Sequence, residues 1–226
     1  MIWILHGEQT SASRAKLVTL MENARAAGQT ITRLDAKSLT LAALDEILGS
    51  QSLFDTPRLL VIEELHSLPT SARKKALISA VANSEIDSIL WEKRALTATM
   101  LKQFGAAKVE EFKLSNSLFA WLDMLGGSKT PAVKLRALHA AEAAEGEYLC
   151  FVMIIRQVRL LILAAEGGKI AGPPFMVTKL RAQAQTLELK RLLQLYKRLL
   201  ELDVRMKSSK PGLNLVQELD LLTVEL

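Results

Sequence analysis

The stretch Arg58–Leu65 reads RLLVIEEL and holds four consecutive apolar residues, Leu59 to Ile62. A strand with one face in water alternates apolar and polar residues, whereas a strand covered by helices on both faces is apolar throughout. This stretch therefore predicts a central strand of a parallel sheet. Its acidic end, Glu63-Glu64, would lie where the chain leaves the sheet.

The segments on either side of this strand alternate between strand and helix patterns. Short apolar or β-branched stretches predict further strands at about residues 1–5, 30–34, 88–91 and 109–113. Apolar residues at three- and four-residue spacing predict helices at about 11–27, 41–48, 71–82, 96–104 and 117–125. This alternation indicates βαβ units around a parallel sheet.

The segment Gly126–Pro131 reads GGSKTP and interrupts this pattern. Paired glycines favour a turn, and proline suits the first turn of a helix. Beyond it the strand patterns stop, and helices are predicted at about 131–144, 147–166, 175–185, 187–207 and 213–224. We therefore predict an α/β domain at residues 1–125, a linker at 126–130 and an all-α domain at 131–226.

The composition fits a helix-rich cytoplasmic protein. Of the 226 residues 50% are hydrophobic but only 5% are aromatic. The single cysteine, Cys150, forms no internal disulfide, as expected in a reducing compartment, and we interpret it as a buried apolar residue. Met1–Gly7 lacks the basic lead of a signal peptide. The apolar stretch Tyr148–Ala165 is interrupted by Arg156 and Arg159, so we expect no membrane span.

The net charge of +5 lies in the second half of the chain. Residues 128–226 contain 15 basic and 10 acidic residues, whereas residues 1–127 contain 14 of each. The predicted helix 187–207 carries a basic stripe of Lys190, Arg191, Lys197 and Arg198. Beside it is an apolar stripe of Leu189, Leu192, Leu193, Tyr196, Leu199 and Leu200. A basic helix face of this kind is a subunit interface, a surface near DNA or a solvated face.

The first predicted strand, turn and helix stand where a nucleotide-binding P-loop would lie. That motif, G-x-x-x-x-G-K-[ST], needs glycines to wrap the phosphates, a lysine for the terminal phosphate and a hydroxyl for magnesium. Aligned from Gly7, the second glycine is Ala12, the lysine is Ser13 and the hydroxyl position is Arg14. The sequence thus predicts a P-loop-like sheet without a functional P-loop and without a nucleotide cofactor.

Other catalytic patterns are absent from the sequence. His6, His66 and His139 are far apart, and none lies four residues from another type of metal-ligating residue. We predict no catalytic residue and no metal site.

A resemblance to a known family emerges around Gln51–Phe54, which reads QSLF between a predicted helix and the strand at 58. This segment resembles the clamp-contacting element of delta subunits of the bacterial DNA polymerase III clamp loader. Similar stretches follow the same order along nearly the whole chain: RLD at 33–35, WEKR at 91–94, VEEF at 109–112, IRQVRLL at 155–161, and LD at 202–203 with KS at 207–208.

The resemblance implies an AAA+-like α/β domain that binds the sliding clamp and a helical collar domain that joins other subunits. Leu53 and Phe54, with Ser52, would enter a hydrophobic pocket on the clamp. The implied partners are the sliding clamp, the ATPase subunits and a delta-prime-like subunit, with DNA reached through the assembled complex. The subunit itself would have no enzymatic activity within the holoenzyme, which is a DNA-directed DNA polymerase.

Two features qualify the resemblance. Delta subunits carry a small helical lid between the two domains, and Gly126-Gly127 stands in its place here, so the lid is expected to be missing. Ser117-Leu118-Phe119 repeats the Ser-Leu-Phe tripeptide within a predicted amphipathic helix, and we interpret that copy as core packing.

Three alternatives remain open. The chain could be a degenerate AAA+ ATPase that still turns over nucleotide, which a nucleotide titration would test. It could be a DNA-binding protein that uses its basic C-terminal half, with steeply salt-dependent binding. It could also be the delta-prime-like subunit, although many of those proteins carry zinc-binding cysteines and this chain has one cysteine.

Overall fold

The computed structural model of the chain describes residues 1–49, 57–208 and 212–226. These residues form two compact units, Met1–Leu114 and Ser115–Leu226. The first unit combines a parallel sheet with helices, and the second is α-helical. The predicted fold class, an α/β domain followed by an all-α domain, is confirmed.

Five parallel strands form the sheet of the first unit. They are β1 (Ile2–His6), β2 (Thr30–Asp35), β3 (Arg58–Glu63), β4 (Asp87–Glu92) and β5 (Lys108–Glu111). They pair in the order β2-β3-β4-β1-β5, and every pair is parallel. After β1 the chain crosses to β2 at one side of the sheet, and after β4 it crosses to β5 at the other side. The carboxyl ends of β1 and β4 are therefore the switch point at which open α/β sheets bind ligands.

The helices of this unit connect consecutive strands. They are α1 (Thr10–Ala26), α2 (Leu41–Gly49), α3 (Ala72–Ala82) and α4 (Ala98–Leu101), with 3-10 turns at Leu65–Ser67 and Lys102–Phe104. The helix predicted at 96–104 is thus one α-helical turn followed by a 3-10 turn. It starts where the Thr97 side chain caps the Met100 amide, and it ends at Gly105.

The central strand β3 is apolar on both faces, as its sequence predicts. Leu60 and Ile62 pack into the core beneath α2, α3 and α4. Leu59 and Val61 pack into the core beneath α1, together with Leu5 and Ile89 from the neighbouring strands. Burial of each such side chain contributes about 1.5–3 kcal/mol, so this strand anchors both layers.

The second unit contains six helices among its described residues. They are α5 (Asn116–Leu122), α6 (Pro131–Glu145), α7 (Glu147–Ala165), α8 (Pro174–Thr186), α9 (Leu189–Lys207) and α10 (Leu215–Glu225). Helix α7 lies at the centre, since it contacts each of the other five. Its side chains Phe151, Ile154, Val158 and Leu161 are buried.

The boundary between the units differs from the predicted one. It lies between Leu114 and Ser115, so α5 and the predicted linker 126–130 belong to the helical unit. The reason is packing: Trp121 of α5 is fully buried, and its Nε1 donates a hydrogen bond to Thr223 Oγ1 of α10 at 3.1 Å. The Gly126 amide also donates to the Leu226 carbonyl at 3.0 Å. Local composition indicated a turn there, but only these long-range contacts assign it to one unit.

Helix α7 is, among the described residues, the one helix whose length and apolar composition would allow it to cross a membrane. The central helix of a helical bundle meets the same criterion. Helix α7 contacts α5, α6, α8, α9 and α10, and 39% of its apolar window is buried.

Candidate functional site

The predicted clamp-contacting residues, Ser52, Leu53 and Phe54, lie in the segment 50–56, outside the described residues. Their assignment therefore stays a prediction. The structure does describe the two elements between which they stand, the end of α2 and the start of β3.

Both of these elements are anchored in the α/β core. Leu44 of α2 is fully buried, and Ile47 packs against the same core cluster. Arg58, the first residue of β3, donates a hydrogen bond from Nη1 to the Ile47 carbonyl at 3.0 Å. The Pro57 carbonyl accepts a hydrogen bond from the Thr30 amide at 2.9 Å. The segment 50–56 thus connects two fixed points at the amino-terminal edge of the sheet.

The opposite, carboxyl-terminal edge is where a nucleotide would bind, and its backbone amides are already hydrogen bonded. The Gly7 amide donates to the Arg94 carbonyl at 3.2 Å, and the Gln9 amide donates to the Phe112 carbonyl at 3.0 Å. The Ala12 amide donates to the Gln9 side chain at 3.2 Å. A P-loop keeps such amides free for phosphate oxygens. Here they close the end of the sheet.

The side chains at the P-loop positions also have internal roles. Ser13, where the lysine would stand, is fully buried and accepts a hydrogen bond from Trp91 Nε1 at 3.0 Å. Arg14, at the hydroxyl position, lies with its guanidinium 3.5 Å from the centroid of the Trp91 ring. Its Nη2 is 2.6 Å from Glu63 Oε2. These contacts occupy the space that phosphates and magnesium would need.

The acidic pair at the end of β3 binds cations of the protein itself. Glu63 pairs with Arg14 at 2.6 Å and with Arg33 at 2.7 Å. The hydrogen bond from Arg14 is the main cause that lowers the pKa of Glu63. Glu64 pairs with Lys93 at 2.9 Å and adopts a left-handed backbone conformation with φ 59°. Both carboxylates thus have cationic partners within the α/β unit.

A buried polar cluster lies just beyond the ends of β3 and β4. Glu92 is fully buried and accepts hydrogen bonds from the His66 amide and from Ser67 Oγ. Burial raises the pKa of Glu92 to about 7. Burial, with Lys74 and Arg94 nearby, lowers the pKa of His66 to about 4. No role was predicted for Glu92 from the sequence, although its place at the end of a predicted strand was an available signal.

The opposed pKa shifts of Glu92 and His66 predict a pH dependence that a Glu92→Gln variant exposes. The raised pKa of Glu92 stabilises the fold below about pH 4.5, and this stabilisation is lost as pH rises through 7. The lowered pKa of His66 stabilises the fold above about pH 6.5, and this stabilisation is lost as pH falls through 4. In the wild-type protein the two effects oppose each other between about pH 5 and pH 7.

Removing the Glu92 titration should leave the His66 effect. From about pH 5 to pH 7, the unfolding free energy of the variant should rise by on the order of 2 kcal/mol more than that of the wild type. Denaturant unfolding at the two pH values, followed by tryptophan fluorescence, measures this difference. Glu22→Gln, on the exposed face of α1, should behave as the wild type. Parallel pH profiles for Glu92→Gln and the wild type would contradict the assignment.

The helical unit presents an unpaired apolar surface on α9. The predicted apolar stripe divides: Leu192 and Leu199 are buried, Tyr196 is half-buried, and Leu189, Leu193 and Leu200 are exposed. Leu195 and Leu202, which were not part of the prediction, join the buried set, and Val204 joins the exposed set, whose four members are 36–56% exposed. At 3.6 residues per turn the four exposed residues fall within an arc of about 60°. They form one exposed apolar stripe, which we call the α9 stripe.

The predicted basic stripe of α9 also divides. Arg198 bonds to Glu225 and lies 3.8 Å from Glu218, and Arg205 pairs with Glu218. Arg191 donates to the Glu225 carbonyl. These three arginines recur every seven residues and join α9 to α10. The roles considered for the basic stripe were a subunit interface, a surface near DNA and a solvated face, and none of them predicted this contact. Lys190 and Lys197 remain exposed.

Other residues considered in the sequence analysis have structural roles. Cys150 is buried, and burial raises the pKa of its thiol to about 12, which confirms it as an apolar core residue. His139 Nε2 lies 2.8 Å from Asp220 Oδ1, and His6 Nδ1 accepts from the Leu96 amide at 3.2 Å. Within residues 1–49, 57–208 and 212–226, no three His, Cys, Asp or Glu side chains form a possible metal site.

The second Ser-Leu-Phe copy is only partly core. Leu118 is fully buried, as predicted, but Phe119 is 40% exposed. The interpretation as core packing is therefore right for Leu118 and wrong for Phe119, because adjacent residues on a helix point in directions about 100° apart.

Comparison with known proteins gives similarities among solved structures alone. No protein-family model matches the chain, and no curated protein sequence matches it. Among solved structures, the DNA clamp loader delta protein of Bacillus subtilis is similar over 99% of this chain and 94% of that one, with 13% sequence identity and a TM-score of 0.49. A similarity at this level assigns no role to any residue.

Proposed function

We propose that this chain is a non-catalytic clamp-loader subunit that binds and opens a sliding clamp during DNA replication. One observation carries the proposal. The switch point of a P-loop-like sheet is filled by the protein's own Arg14, Ser13 and Trp91, so the unit has kept the sheet and replaced nucleotide chemistry with internal contacts. A sheet of this kind serves as a rigid support for a binding element elsewhere on its surface.

The binding element is proposed to be Leu53 and Phe54, with Ser52 beside them. In the sequence they stand between α2 and β3. The described residues that flank them, Ile47 and Arg58, lie at the edge of the sheet opposite the filled nucleotide position. Two apolar side chains that enter a pocket on the clamp would contribute about 1.5–3 kcal/mol each. Because the end of α2 and the start of β3 are fixed by core contacts, less conformational entropy is lost on binding. Two apolar side chains can then make an effective contact.

Clamp opening then follows from differential affinity. A subunit that binds the open ring better than the closed ring shifts the population towards the open ring, without any covalent step. ATP would be bound and hydrolysed by partner subunits in the cytoplasmic clamp-loader complex. This chain would contribute the clamp contact and a position in the assembly.

The helical unit is proposed to be the collar domain, and the α9 stripe its contact with a neighbouring subunit. Leu200 and Val204 are 56% and 53% exposed. A continuous exposed apolar stripe on a helix is typical of a surface that another protein covers. Of the two units that the described residues form, the helical one would hold the subunit in the complex.

A Leu200→Asp variant tests the collar proposal. We expect its association with the ATPase and delta-prime-like subunits of the same genome to weaken by about 30-fold or more, the effect of losing about 2 kcal/mol at an interface centre. Binding to the isolated sliding clamp should be unchanged, because the clamp contact lies in the α/β unit. Size-exclusion chromatography and titration measure both.

Val18→Asp provides the matched control, because Val18 is 45% exposed on α1 in the other unit. This variant should assemble normally. Normal assembly of Leu200→Asp would remove the α9 stripe from the proposed interface. Failure of the wild-type chain to bind either the clamp or the other subunits would overturn the proposed function itself.

A further inference from the structure

A second candidate binding surface lies in the α/β unit, along α3. It is a groove of about 480 Å³ between α3 and the segment that contains α4. Ser71, Lys75 and Ser79, at four-residue spacing along α3, form one wall. Met100 and Gln103 form the other. The volume is within the range of natural ligand sites, about 300–1,000 Å³.

The groove has a positive character. Among the described residues that line it, Lys74, Lys75 and His66 are the ionisable ones, and none is acidic. Lys74 is occupied, because its Nζ donates to the carbonyls of His66 at 2.6 Å and Leu68 at 2.9 Å. Lys75 is exposed. The amino-terminal turn of α3 adds the positive end of a helix dipole at the same place.

One end of the groove contains a buried polar atom without a partner. His66 is 1% exposed and lines the groove, and its Nε2 has no hydrogen-bond partner among the described residues. The low pKa of His66, about 4, keeps the ring neutral near pH 7, so that it can form one further hydrogen bond. An unsatisfied buried polar atom is destabilising, and a bound polar group could supply its missing hydrogen bond.

The length of the groove indicates the kind of ligand. It runs from Ser71 before α3 to Asn83 after it, so it follows the eleven residues of the helix. Such a helix is about 17 Å long. An extended peptide rises about 3.3 Å per residue, so about five residues would fill this length. A small inorganic anion would fill only a fraction of it.

We propose that this groove binds an extended acidic peptide segment of a partner protein. A carboxylate of the segment pairs with Lys75, and an apolar side chain next to it rests on Ile78 and Met100. A polar group of the segment reaches the His66 end. None of the residues that line this site belongs to the proposed clamp contact or to the α9 stripe, so the site would give the α/β unit a second partner.

The test is selection of a random peptide library, displayed on phage, against the full-length chain. Enriched peptides should combine aspartate or glutamate with a neighbouring large apolar residue. Fluorescence anisotropy with the most enriched peptide should show affinity reduced by about tenfold or more in Lys75→Glu, since reversal of a close charge costs at least about 1.4 kcal/mol. Ser79→Trp, which fills the middle of the groove, should have a similar effect.

Lys37→Glu makes the same charge change at an exposed position outside the groove and should bind as the wild type does. Circular dichroism of each variant shows that the fold is retained. The proposal is overturned if no peptide is enriched, if the enriched peptides lack acidic residues, or if Lys75→Glu and Ser79→Trp bind with unchanged affinity. It is also overturned if a single-stranded oligonucleotide, rather than any peptide, binds in a Lys75-dependent manner.

Discussion

Replacing Leu53 and Phe54 together by alanine is expected to weaken binding to the sliding clamp by about 100-fold to 10,000-fold. If both side chains are fully buried in a clamp pocket, their loss removes about 3–6 kcal/mol of apolar contact. Fold and assembly should be unaffected, because the supports of the segment, Leu44 in α2 and Leu60 in β3, retain their own core contacts. Titration of the labelled clamp, with chromatography of the complex, measures the two properties separately.

The chain provides its own control for this experiment. Phe119, in the second Ser-Leu-Phe copy, is 40% exposed on α5. Phe119→Ala removes an exposed phenyl group from the same tripeptide in the other unit, and clamp binding should remain at the wild-type level. Unchanged clamp binding by the Leu53 and Phe54 double variant would reject these residues as the anchor, even if the wild-type chain binds the clamp.

Gly7→Ala is expected to destabilise the α/β unit by about 2–5 kcal/mol. Gly7 has φ 132°, a conformation that residues with a side chain rarely adopt. A Cβ at this position would lie 2.1 Å from the Phe112 carbonyl oxygen, which belongs to the backbone and cannot rotate away. Backbone strain of about 1–3 kcal/mol and overpacking of about 1–3 kcal/mol act together. Denaturant unfolding measures the loss.

Gly28→Ala separates the two contributions. Gly28 has φ 77°, but a Cβ there would meet nothing within 4 Å. This variant should therefore lose only about 1–2 kcal/mol, the cost of the left-handed conformation. Equal losses in the two variants would show that the contact with Phe112 has no effect. In a P-loop, the missing side chain of the first glycine leaves room for phosphate. At Gly7 it leaves room for the backbone of Phe112, directly after β5.

The filled switch point and the intact sheet have a common physical basis. In the α/β unit, Arg14 both stacks on Trp91 and neutralises Glu63, so it supplies the positive charge that a bound metal ion would otherwise bring to the carboxylate. If these contacts were absent and no nucleotide were bound, buried polar groups at such a site would have no partners. Unpaired buried polar groups lower the stability of the fold. Arg14 and Arg33 thus supply the counter-charge of Glu63 from within the chain.

The sequence by itself determined the two layers of the architecture. The apolar run in β3 required helices on both faces, and the alternating patterns around it located every strand to within a residue or two. The sequence also predicted the absence of a functional P-loop from Ala12, Ser13 and Arg14, because a phosphate site needs particular residues at fixed spacing along the chain. Such properties are local, so the order of residues is sufficient to predict them.

Only the tertiary structure decided which contacts form between distant residues. It placed α5 and residues 126–130 in the helical unit, because Trp121 and Gly126 bond to the end of the chain. It paired Arg191, Arg198 and Arg205 with α10, and it divided the α9 apolar residues into a buried set and an exposed set. Periodicity shows which residues share a helix face, but whether a face meets a neighbour or the solvent depends on packing, which no local pattern contains.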